Sequence, residues 1–426
     1  MLMYLDLPDL LTLDNGLRIV LMPSNESPGI HVRADVLMGS CDERLARDKG
    51  VCHLIEGLVW RRTKDFTGHQ VSGMADSAGN LTGGTVHGTH TSYRTWAPTD
   101  DRCSGFGRAL DMLDSVIFRP ELDASDLEAE KKLAIQRIAD RDSDATSYSI
   151  QAARSRAFPK HGIGYSDIGT PETVLNMKIT RLREYVRGYH RPQTTVLGLA
   201  GRLPNFGVLE EVLGDHATGF VNKTRAANAI PLGRSWGPAT PSASDLATET
   251  WNDRGRSTVS AVIPLPDDMV SSDDHVGLTA ACRFIGRGRR SWLHERLVSK
   301  GIALTSDCGF ERVPGAGWMW ISVQTTHDKE SSVIDAISEA ASKVVDGHGR
   351  WSEGLEVIRR GMLADLRSRG DAEWLMDSVM DSISTDGAIP SMVDRETAII
   401  DLDGKSVIGL IGRLDARAAS IYVVRQ

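Results

Sequence analysis

The segment GVCHLIEGLVWRRT, residues 50–63, carries a histidine and a glutamate at the spacing found in a zinc-binding helix. Residues three and four positions apart share one face of a helix. Two histidines at positions i and i+4 can therefore bind one zinc ion, while a glutamate between them activates the bound water. Here His53 and Glu56 occupy the first two positions of that pattern, but Gly57 stands where the second histidine is needed. One imidazole cannot hold zinc alone, so this segment favours a helix without a metal.

Composition excludes several classes of protein. The 426 residues are 41% hydrophobic and 25% charged, which is typical of globular proteins and suits two domains. We find no apolar run near the roughly 18 residues of a membrane span and no basic segment of a signal peptide. The net charge of −8, without a dense Lys/Arg tract, argues against nucleic acid as a partner. Five scattered cysteines without a C-x-x-C pair predict reduced thiols and a cytoplasmic location.

The elements that must position these residues follow one order twice. In the first half, Asn15-Gly16 between apolar runs predicts a β-hairpin, and Ser125-x-x-Glu128 predicts a helix capping box. The predicted elements are that hairpin, a strand GIHVRADVLMG, helices 50–62 and 65–78, the β ribbon NLTGGTVHGTHTSYRTWAP, helices 104–117, 124–141 and 171–189, and the strand TTVLGLAG. The second half repeats strand, helices, strand pair, long helices and a final helix and strand. This predicts two copies of one α+β unit.

A stretch rich in Gly, Pro, Ala, Ser and Thr separates the two halves. It predicts a linker at 214–255 between an N-terminal domain, 1–213, and a C-terminal domain, 256–426.

The order of elements and several segments resemble the pitrilysin/insulinase-type metallopeptidases, whose relatives include the mitochondrial processing peptidase and bacterial homologues of about this length. The resemblance covers nearly the whole chain and rests on LDNGLRIVL, GVCHLIEGLVWRRT, AGNLTGGT with HTSYRT, IGTPETVLNMKITRLREYVRGYHRPQTTVLGLAG and RSWLHERLVSKGIAL. It implies an α+β fold of two homologous sandwich domains arranged as a clamshell, each with an antiparallel-rich mixed sheet covered by helices on one face.

The departures from the family pattern concern its catalytic residues. The resemblance implies a third zinc ligand, a glutamate on a later helix that LEAEKKLAIQRI resembles; Glu130 then matches a glutamate seven residues before it, and Arg137 takes the ligand position. It also implies an Arg and a Tyr of the second domain that grip the substrate carbonyl. Leu297 and Leu304 occupy those positions, and an alignment shifted by one gives Arg296 with Ala303, again without tyrosine. We therefore expect no metal and no intact catalytic set in this chain, with His53, Glu56 and Glu130 as remnants.

Arg137 has two readings. It is either a solvated helix residue, or its guanidinium fills the position of the lost cation and pairs with Glu56 or Glu130, on whose helix face it lies. The second reading requires an arginine–carboxylate contact in the folded chain.

Two further segments are candidates for binding a peptide. Thr82, Gly83, Gly84 and Thr85 resemble the family's peptide-accepting edge strand, although glycine there also fits a bulge. Gly286, Arg287, Gly288 and Arg289 precede the second-domain core, where a substrate loop and a basic surface turn are equally consistent with the sequence. The remaining histidines, including His87 and His90, lack a partner at metal-binding spacing and are interpreted as structural or surface residues.

These observations predict a non-catalytic subunit of a heterodimeric zinc metallopeptidase, completing a peptide chamber with a homologous subunit that carries the zinc. The resemblance to this family suggests that the reaction is removal of a leader peptide. Two alternatives stay open: an active metallopeptidase with a rebuilt zinc site, and a purely structural scaffold such as a core subunit of a respiratory complex.

Overall fold

The computed structural model describes residues 8–78, 81–98, 104–221, 231–234, 236–237, 239–242, 245–252, 254–270, 274–346, 351–368 and 371–426. The chain divides into two compact units that interleave along the sequence. The first unit runs to Ile138 and adds Ser166–Arg234 and a later segment that ends at Ser391. The second takes Ala139–Tyr165, a long segment that ends at Ser368, and Met392–Gln426. These units differ from the continuous domains that the sequence predicted.

The predicted strands and helices occur in the predicted order, and the described residues add one strand and four helices that were not predicted. The strands are β1 (Asp9–Thr12), β2 (Arg18–Pro23), β3 (Gly29–Val36), β4 (Gly83–Val86), β5 (Thr91–Pro98), β6 (Thr195–Gly201), β7 (Leu246–Thr250), β8 (Arg256–Pro264), β9 (Ala303–Val313), β10 (Ala316–Thr326) and β11 (Ser420–Arg425). The helices are α1 (Val51–Leu58), α2 (Gly68–Ser77), α3 (Ser104–Phe118), α4 (Ala124–Ser143), α5 (Ala145–Ala157), α6 (Pro171–Asn176), α7 (Ile179–Tyr189), α8 (Phe206–His216), α9 (His275–Ile285), α10 (Glu330–Asp346), α11 (Trp351–Ser368), α12 (Ala372–Asp386), α13 (Met392–Ile400) and α14 (Gly404–Gly412).

The sheet of the first unit has the order β1-β2-β6-β3-β5-β4. The predicted hairpin joins β1 and β2, and Gly16 adopts the positive φ of 84° that such a turn requires. β2 and β6 are parallel, and the remaining neighbours are antiparallel. Alternate strand residues, such as Val32, Leu197 and Leu199, pack with α1, α3 and α7 into one buried apolar core. β4 is left at one end of the sheet, beside α1.

The opposite face of this sheet is covered by α12, from the second half of the chain. A Cβ atom on Gly198 of β6 would lie 2.6 Å from the sulfur atoms of Met376 and Met380, so only glycine permits this close approach. Arg33 of β3 points to the same face and pairs with Asp377 and Asp381 of α12. The prediction placed helices on one face of the sheet, and α12 adds the second.

The sheet of the second unit repeats this topology, in the order β7-β11-β8-β10-β9. β7 runs parallel to β11 as β2 does to β6, and β8 lies antiparallel between β11 and β10 as β3 lies between β6 and β5. α5, from the first half of the chain, packs on β8 and β11 as α12 packs on β3 and β6. The predicted α+β class with two homologous units is confirmed.

Several predicted details are wrong. The helix predicted at 171–189 is divided into α6 and α7 because Met177 between them is extended. The cap of α4 is Asp123, whose Oδ1 accepts the backbone N–H of Ser125 at 2.7 Å, so the proposed capping box at Ser125 is not used. β7 and the end of α8 lie inside the segment predicted as a linker, 214–255, much of which falls outside the described residues. In the described part of the chain, no helix is both long and apolar enough to cross a membrane.

Candidate functional site

Helix α1 presents the chemistry-bearing residues on its less buried face. Its N-terminus is anchored by the Glu43 carboxylate, which accepts the backbone N–H groups of Gly50 and Cys52 at 2.9 Å each. Leu54, Ile55 and Leu58 face the apolar core because they recur at helical spacing. His53, Glu56 and Gly57 are consequently turned toward β4 and α4.

Arg137 of α4 contacts the histidine of this face. Its Nη1 atom lies 3.1 Å from Nε2 of His53. Because a guanidinium can only donate, Nε2 must be the acceptor, which assigns the neutral ring's proton to Nδ1. Burial lowers the pKa of His53 to about 4, and the positive charge of Arg137 acts in the same direction. At neutral pH the imidazole is therefore uncharged, and its Nε2 lone pair is committed to arginine.

Two guanidinium groups hold Glu130. Its Oε2 accepts from Nε and Nη2 of Arg61 at 3.1 and 2.8 Å, and its Oε1 lies 3.5 Å from Nη1 of Arg137. The carboxylate side chain is 3% exposed, whereas that of Arg137 is 47% exposed. The ion pair of Arg137 with a glutamate, one of the two readings of the sequence, is present. Arg61 was missed, although it follows Gly57 by four residues and so had the spacing to share its helix face.

Gly57 leaves room for the Glu130 carboxylate. A Cβ atom on residue 57 would lie 2.3 Å from Oε1 and 2.5 Å from Cδ of Glu130. Real Cβ atoms do not approach other heavy atoms so closely, because van der Waals repulsion rises steeply below contact distance. The space that a histidine side chain would enter at this position is thus filled by a carboxylate.

Glu56 lies between α1 and the edge strand β4. Its Oε1 is close enough to Gly84 that a Cβ atom there would lie 2.5 Å away. Burial raises the pKa of Glu56 to about 7; Arg137 lowers it and Glu130 raises it. The group is therefore partly protonated at neutral pH, and it remains the residue best placed to meet a peptide lying along β4.

These residues do not fit a zinc ion. A catalytic zinc site uses three protein ligands and one open position. Here Nε2 of His53 faces a guanidinium, Glu130 is bound by Arg61, residue 57 has no side chain, and residue 137 is a cation. Adding a dication beside Arg61 and Arg137 would create repulsion that the carboxylates Glu56 and Glu130 are too few to offset.

Other residues singled out in the sequence lie in both units. In the first, Thr82 bonds Thr95 through their hydroxyl groups at 2.8 Å, and the backbone of Gly83, Gly84 and Thr85 pairs with β5. In the second, Leu297 is buried and Leu304 is 58% exposed. Both side chains are apolar, so neither offers a polar group to a substrate. Gly286 is buried against Cys308, whereas Arg287, Gly288 and Arg289 are exposed in the turn after α9.

A second group of possible metal ligands joins His87 and His90 to Asp381 of α12. The rings of the two histidines stack with centroids 4.4 Å apart. Arg33 lies among them: its Nη2 is 3.1 Å from Nε2 of His90 and 2.5 Å from Oδ1 of Asp381, and its Nε donates to the buried Asp35 at 2.8 Å. A guanidinium therefore contacts two of the three possible ligands, His90 and Asp381. The sequence interpretation of His87 and His90 as structural or surface residues did not foresee the approach of Asp381.

Residues 19–170 match the family described as Insulinase (Peptidase family M16). This part of the chain resembles a peptidase family M16 domain. The Uncharacterized zinc protease YmxG of Bacillus subtilis is 25% identical over 193 residues, 45% of this chain and 46% of that protein. Cytochrome b-c1 complex subunit 1 of Bos taurus is 24% identical over 219 residues, 51% of this chain and 44% of that protein. The chain thus spans less than half the length of these relatives.

Solved M16 structures share the fold over the whole chain. A protease from Helicobacter pylori superimposes with a TM-score of 0.84 at 16% identity, covering 99% of this chain and all of that one, 100%. The peptidase M16 inactive domain from Pseudomonas fluorescens gives a TM-score of 0.83 at 13% identity and 98% coverage of both chains. The two sheet-and-helix units are therefore those of the two-domain M16 fold.

Proposed function

We propose that this chain is a non-catalytic, peptide-binding subunit of a zinc metallopeptidase of family M16, paired with a homologous subunit that holds the zinc. The observation that carries the proposal is the contact of Arg137 with both His53 and Glu130. That arginine takes the imidazole lone pair and neutralises the carboxylate, two groups that a metal centre would need free. A chain with this arrangement has no water-activating cation of its own.

The names of the relatives support both a partner that holds zinc and a chain that does not catalyse. Some carry the name zinc protease, while the Pseudomonas fluorescens structure is named an inactive domain of the same family. An inactive copy with an intact fold is expected to act through binding rather than chemistry. We place the pair in the cytoplasm because Cys52, Cys282 and Cys308 are buried thiols that form no disulfide.

The peptide would bind along β4. This strand pairs with β5 on one side and lies at the end of the sheet order, so its other edge offers backbone donors and acceptors. Glu56 lies directly beside Gly84 of that strand. A peptide added to β4 would run past Glu56 and Arg137 without meeting a metal, which suits holding a leader segment while the partner cleaves it.

The test uses the zinc-bearing M16 homologue from the same genome. The two chains are mixed, their association is measured by analytical ultracentrifugation, and cleavage of a peptide library is followed by mass spectrometry. We expect a heterodimer that cleaves faster than either chain alone. Glu56→Gln in this chain should leave the cleavage rate within about twofold, whereas the matching substitution in the partner's H-x-x-E-H motif should reduce it by orders of magnitude, as expected for loss of a general base.

Two outcomes would overturn the proposal. Loss of cleavage on Glu56→Gln in this chain would make it a catalytic subunit with a rebuilt site. A heterodimer that cleaves no faster than the partner alone, and that fails to bind peptide, would leave a scaffold, the role suggested by the relation to cytochrome b-c1 complex subunit 1.

A further inference from the structure

The second unit carries an acidic side chain surrounded by aromatic rings. Glu249 of β7 accepts hydrogen bonds on its Oε2 from the hydroxyl groups of Tyr148 at 2.8 Å and Tyr422 at 2.7 Å. The Tyr148 ring lies 5.2 Å from that of Trp251 and 6.0 Å from that of Tyr422, at steep interplanar angles of 65° and 75°. All four residues are half-buried, so the cluster is fixed in place and still open to solvent.

The charge of Glu249 has no cationic partner in the cluster. Among the described residues, none of the ion pairs includes Glu249, and the nearby Arg156 is bound to Asp245. Hydrogen bonds from the two tyrosines hold the pKa of Glu249 below its ordinary value, so the group is ionised at neutral pH. An ionised carboxylate beside electron-rich ring faces attracts a cation both directly and through the ring quadrupoles.

We propose that Tyr148, Glu249, Trp251 and Tyr422 form a binding site for the basic side chain of an extended peptide. The strand β7, which carries Glu249 and ends just before Trp251, identifies an extended peptide as the ligand. β7 lies at the end of its sheet and pairs with β11 on one side, and no described strand pairs with its other edge. A peptide strand added there would direct every second side chain to the face that carries Glu249 and Trp251.

This site is independent of the function proposed above, because its ligand follows from the chemistry of one cluster in the second unit. It also differs in kind from the site between α1 and α4, where two guanidinium groups already pair with the Glu130 carboxylate. Lysine and arginine share the required charge. The planar guanidinium adds stacking on aromatic faces, so we expect arginine to bind more tightly than lysine.

The test uses four acetylated and amidated pentapeptides, Thr-Val-X-Val-Thr, in which X is arginine, lysine, citrulline or acetyl-lysine. The last two keep the shape of the side chain and remove its charge. The indole N–H signals of the full chain, labelled with ¹⁵N-tryptophan, report binding, and the signal lost in Trp251→Phe identifies Trp251. We expect the arginine and lysine peptides to shift that signal saturably, with affinities about five- to tenfold above those of their neutral counterparts, the size of a partly desolvated cation–π contact with an ion pair.

Glu249→Gln should reduce the affinity for the arginine peptide to that for the citrulline peptide, while still accepting both tyrosine hydrogen bonds and so keeping the fold. Glu210→Gln, the same charge change at an exposed residue of α8, is the matched control and should bind as the wild type does. Equal affinities for the charged and neutral peptides, or unchanged arginine binding by Glu249→Gln, would overturn the proposal. So would binding that leaves the Trp251 signal unmoved.

Discussion

Nη1 of Arg137 lies 3.1 Å from Nε2 of His53, in the position from which a metal ion would have to bind that imidazole. The same relationship occurs in the second cluster of the first unit, where Nη2 of Arg33 lies 3.1 Å from Nε2 of His90. In both places carboxylates complete the surroundings of the guanidinium. In both places an arginine side chain thus supplies the positive charge that a histidine–carboxylate group would otherwise obtain by binding a cation from solution.

The fit of Gly57 against Glu130 predicts a large cost for the smallest side chain. Gly57→Ala places a methyl group 2.3 Å from Oε1 of a buried carboxylate held by Arg61. We expect the free energy of unfolding, measured by urea denaturation, to fall by about 1–3 kcal/mol through overpacking. Gly73→Ala is the matched control: it lies in α2 with open space around its Cβ position, and alanine there should stabilise by about 0.5–1 kcal/mol.

Adding Glu130→Ala should remove most of the penalty, because the clashing atoms are gone. A double-mutant cycle in which the two substitutions are additive would show that Glu130 is not what keeps residue 57 a glycine.

Protonation of Glu56 and His53 predicts opposite pH dependences. The pKa of Glu56 is raised to about 7, so the folded state holds its proton more tightly than the unfolded state does, and stability falls as pH rises from the unfolded pKa through 7. The pKa of His53 is lowered to about 4, so its contribution is complete above its unfolded pKa near 6.5 and is lost as pH falls toward 4. Between about pH 4.5 and 6.5, a rise in pH therefore lowers the contribution of Glu56 to stability and raises that of His53.

Single substitutions should separate these slopes. The free energy of unfolding of Glu56→Gln minus that of wild type should increase by about 1–3 kcal/mol as pH rises from 5 to 8. The same difference for His53→Gln should increase as pH falls from 7 to 4. Urea unfolding at several pH values measures both differences. Parallel stability–pH curves for wild type and Glu56→Gln would mean that Glu56 titrates normally in the folded chain.

Hydrophobic periodicity and turn residues predicted most strands and helices of the fold. They did not predict α5 and α12, the helices that pack on the two sheets. The hairpin at Asn15-Gly16 and strands β3, β5 and β6 follow from local pattern alone. α5 was missed because its buried positions are Ala145, Ser149, Ala153 and Ala157, which give no apolar stripe. α12 carries apolar residues at helical spacing and could have been predicted as a helix. Its place in the first unit depends on long-range pairing with Arg33, which no local pattern contains.

The candidate site was predictable in part. His53, Glu56 and Gly57 follow from spacing in α1, and spacing puts Glu130 and Arg137 on one face of α4, but only the resemblance implied that this face lies beside α1. The contact between the helices depends on how each packs against the sheet. That is why the role of Arg61, beyond the end of α1, and the approach of Asp381 to His90 emerged only from the folded chain.

Arg33 predicts a second, separate stability effect. Its guanidinium is buried and pairs with Asp35, Asp377 and Asp381, so Arg33→Met leaves Asp35 and Asp381 without their arginine. Removing one partner of a buried ion network costs about 3–5 kcal/mol. Arg94→Met, which breaks a half-exposed pairing with the same Asp377, should cost less than about 1 kcal/mol. Hydrogen exchange of the α12 amides measures both effects, and equal exchange in the two variants would contradict this account of how α12 is held.

The last prediction concerns metal binding. Wild-type protein should hold far less than one zinc per chain by mass spectrometry of the eluted metal, because His53 is only one of the three protein ligands that a catalytic zinc site uses. Gly57→His alone should not restore binding, since Glu130 fills the space and Arg137 still faces His53. Gly57→His with Glu130→Ala and Arg137→Glu vacates that space, supplies both missing ligands and removes the repelling charge of Arg137, and we expect this triple variant to bind about one zinc per chain. Adding His53→Ala to the triple variant should abolish binding, whereas adding His90→Ala should not, which separates this site from the cluster around Arg33. Stoichiometric zinc in the wild-type chain that His53→Ala removes would show that the guanidinium yields to metal, and that the chain retains a metal centre of its own.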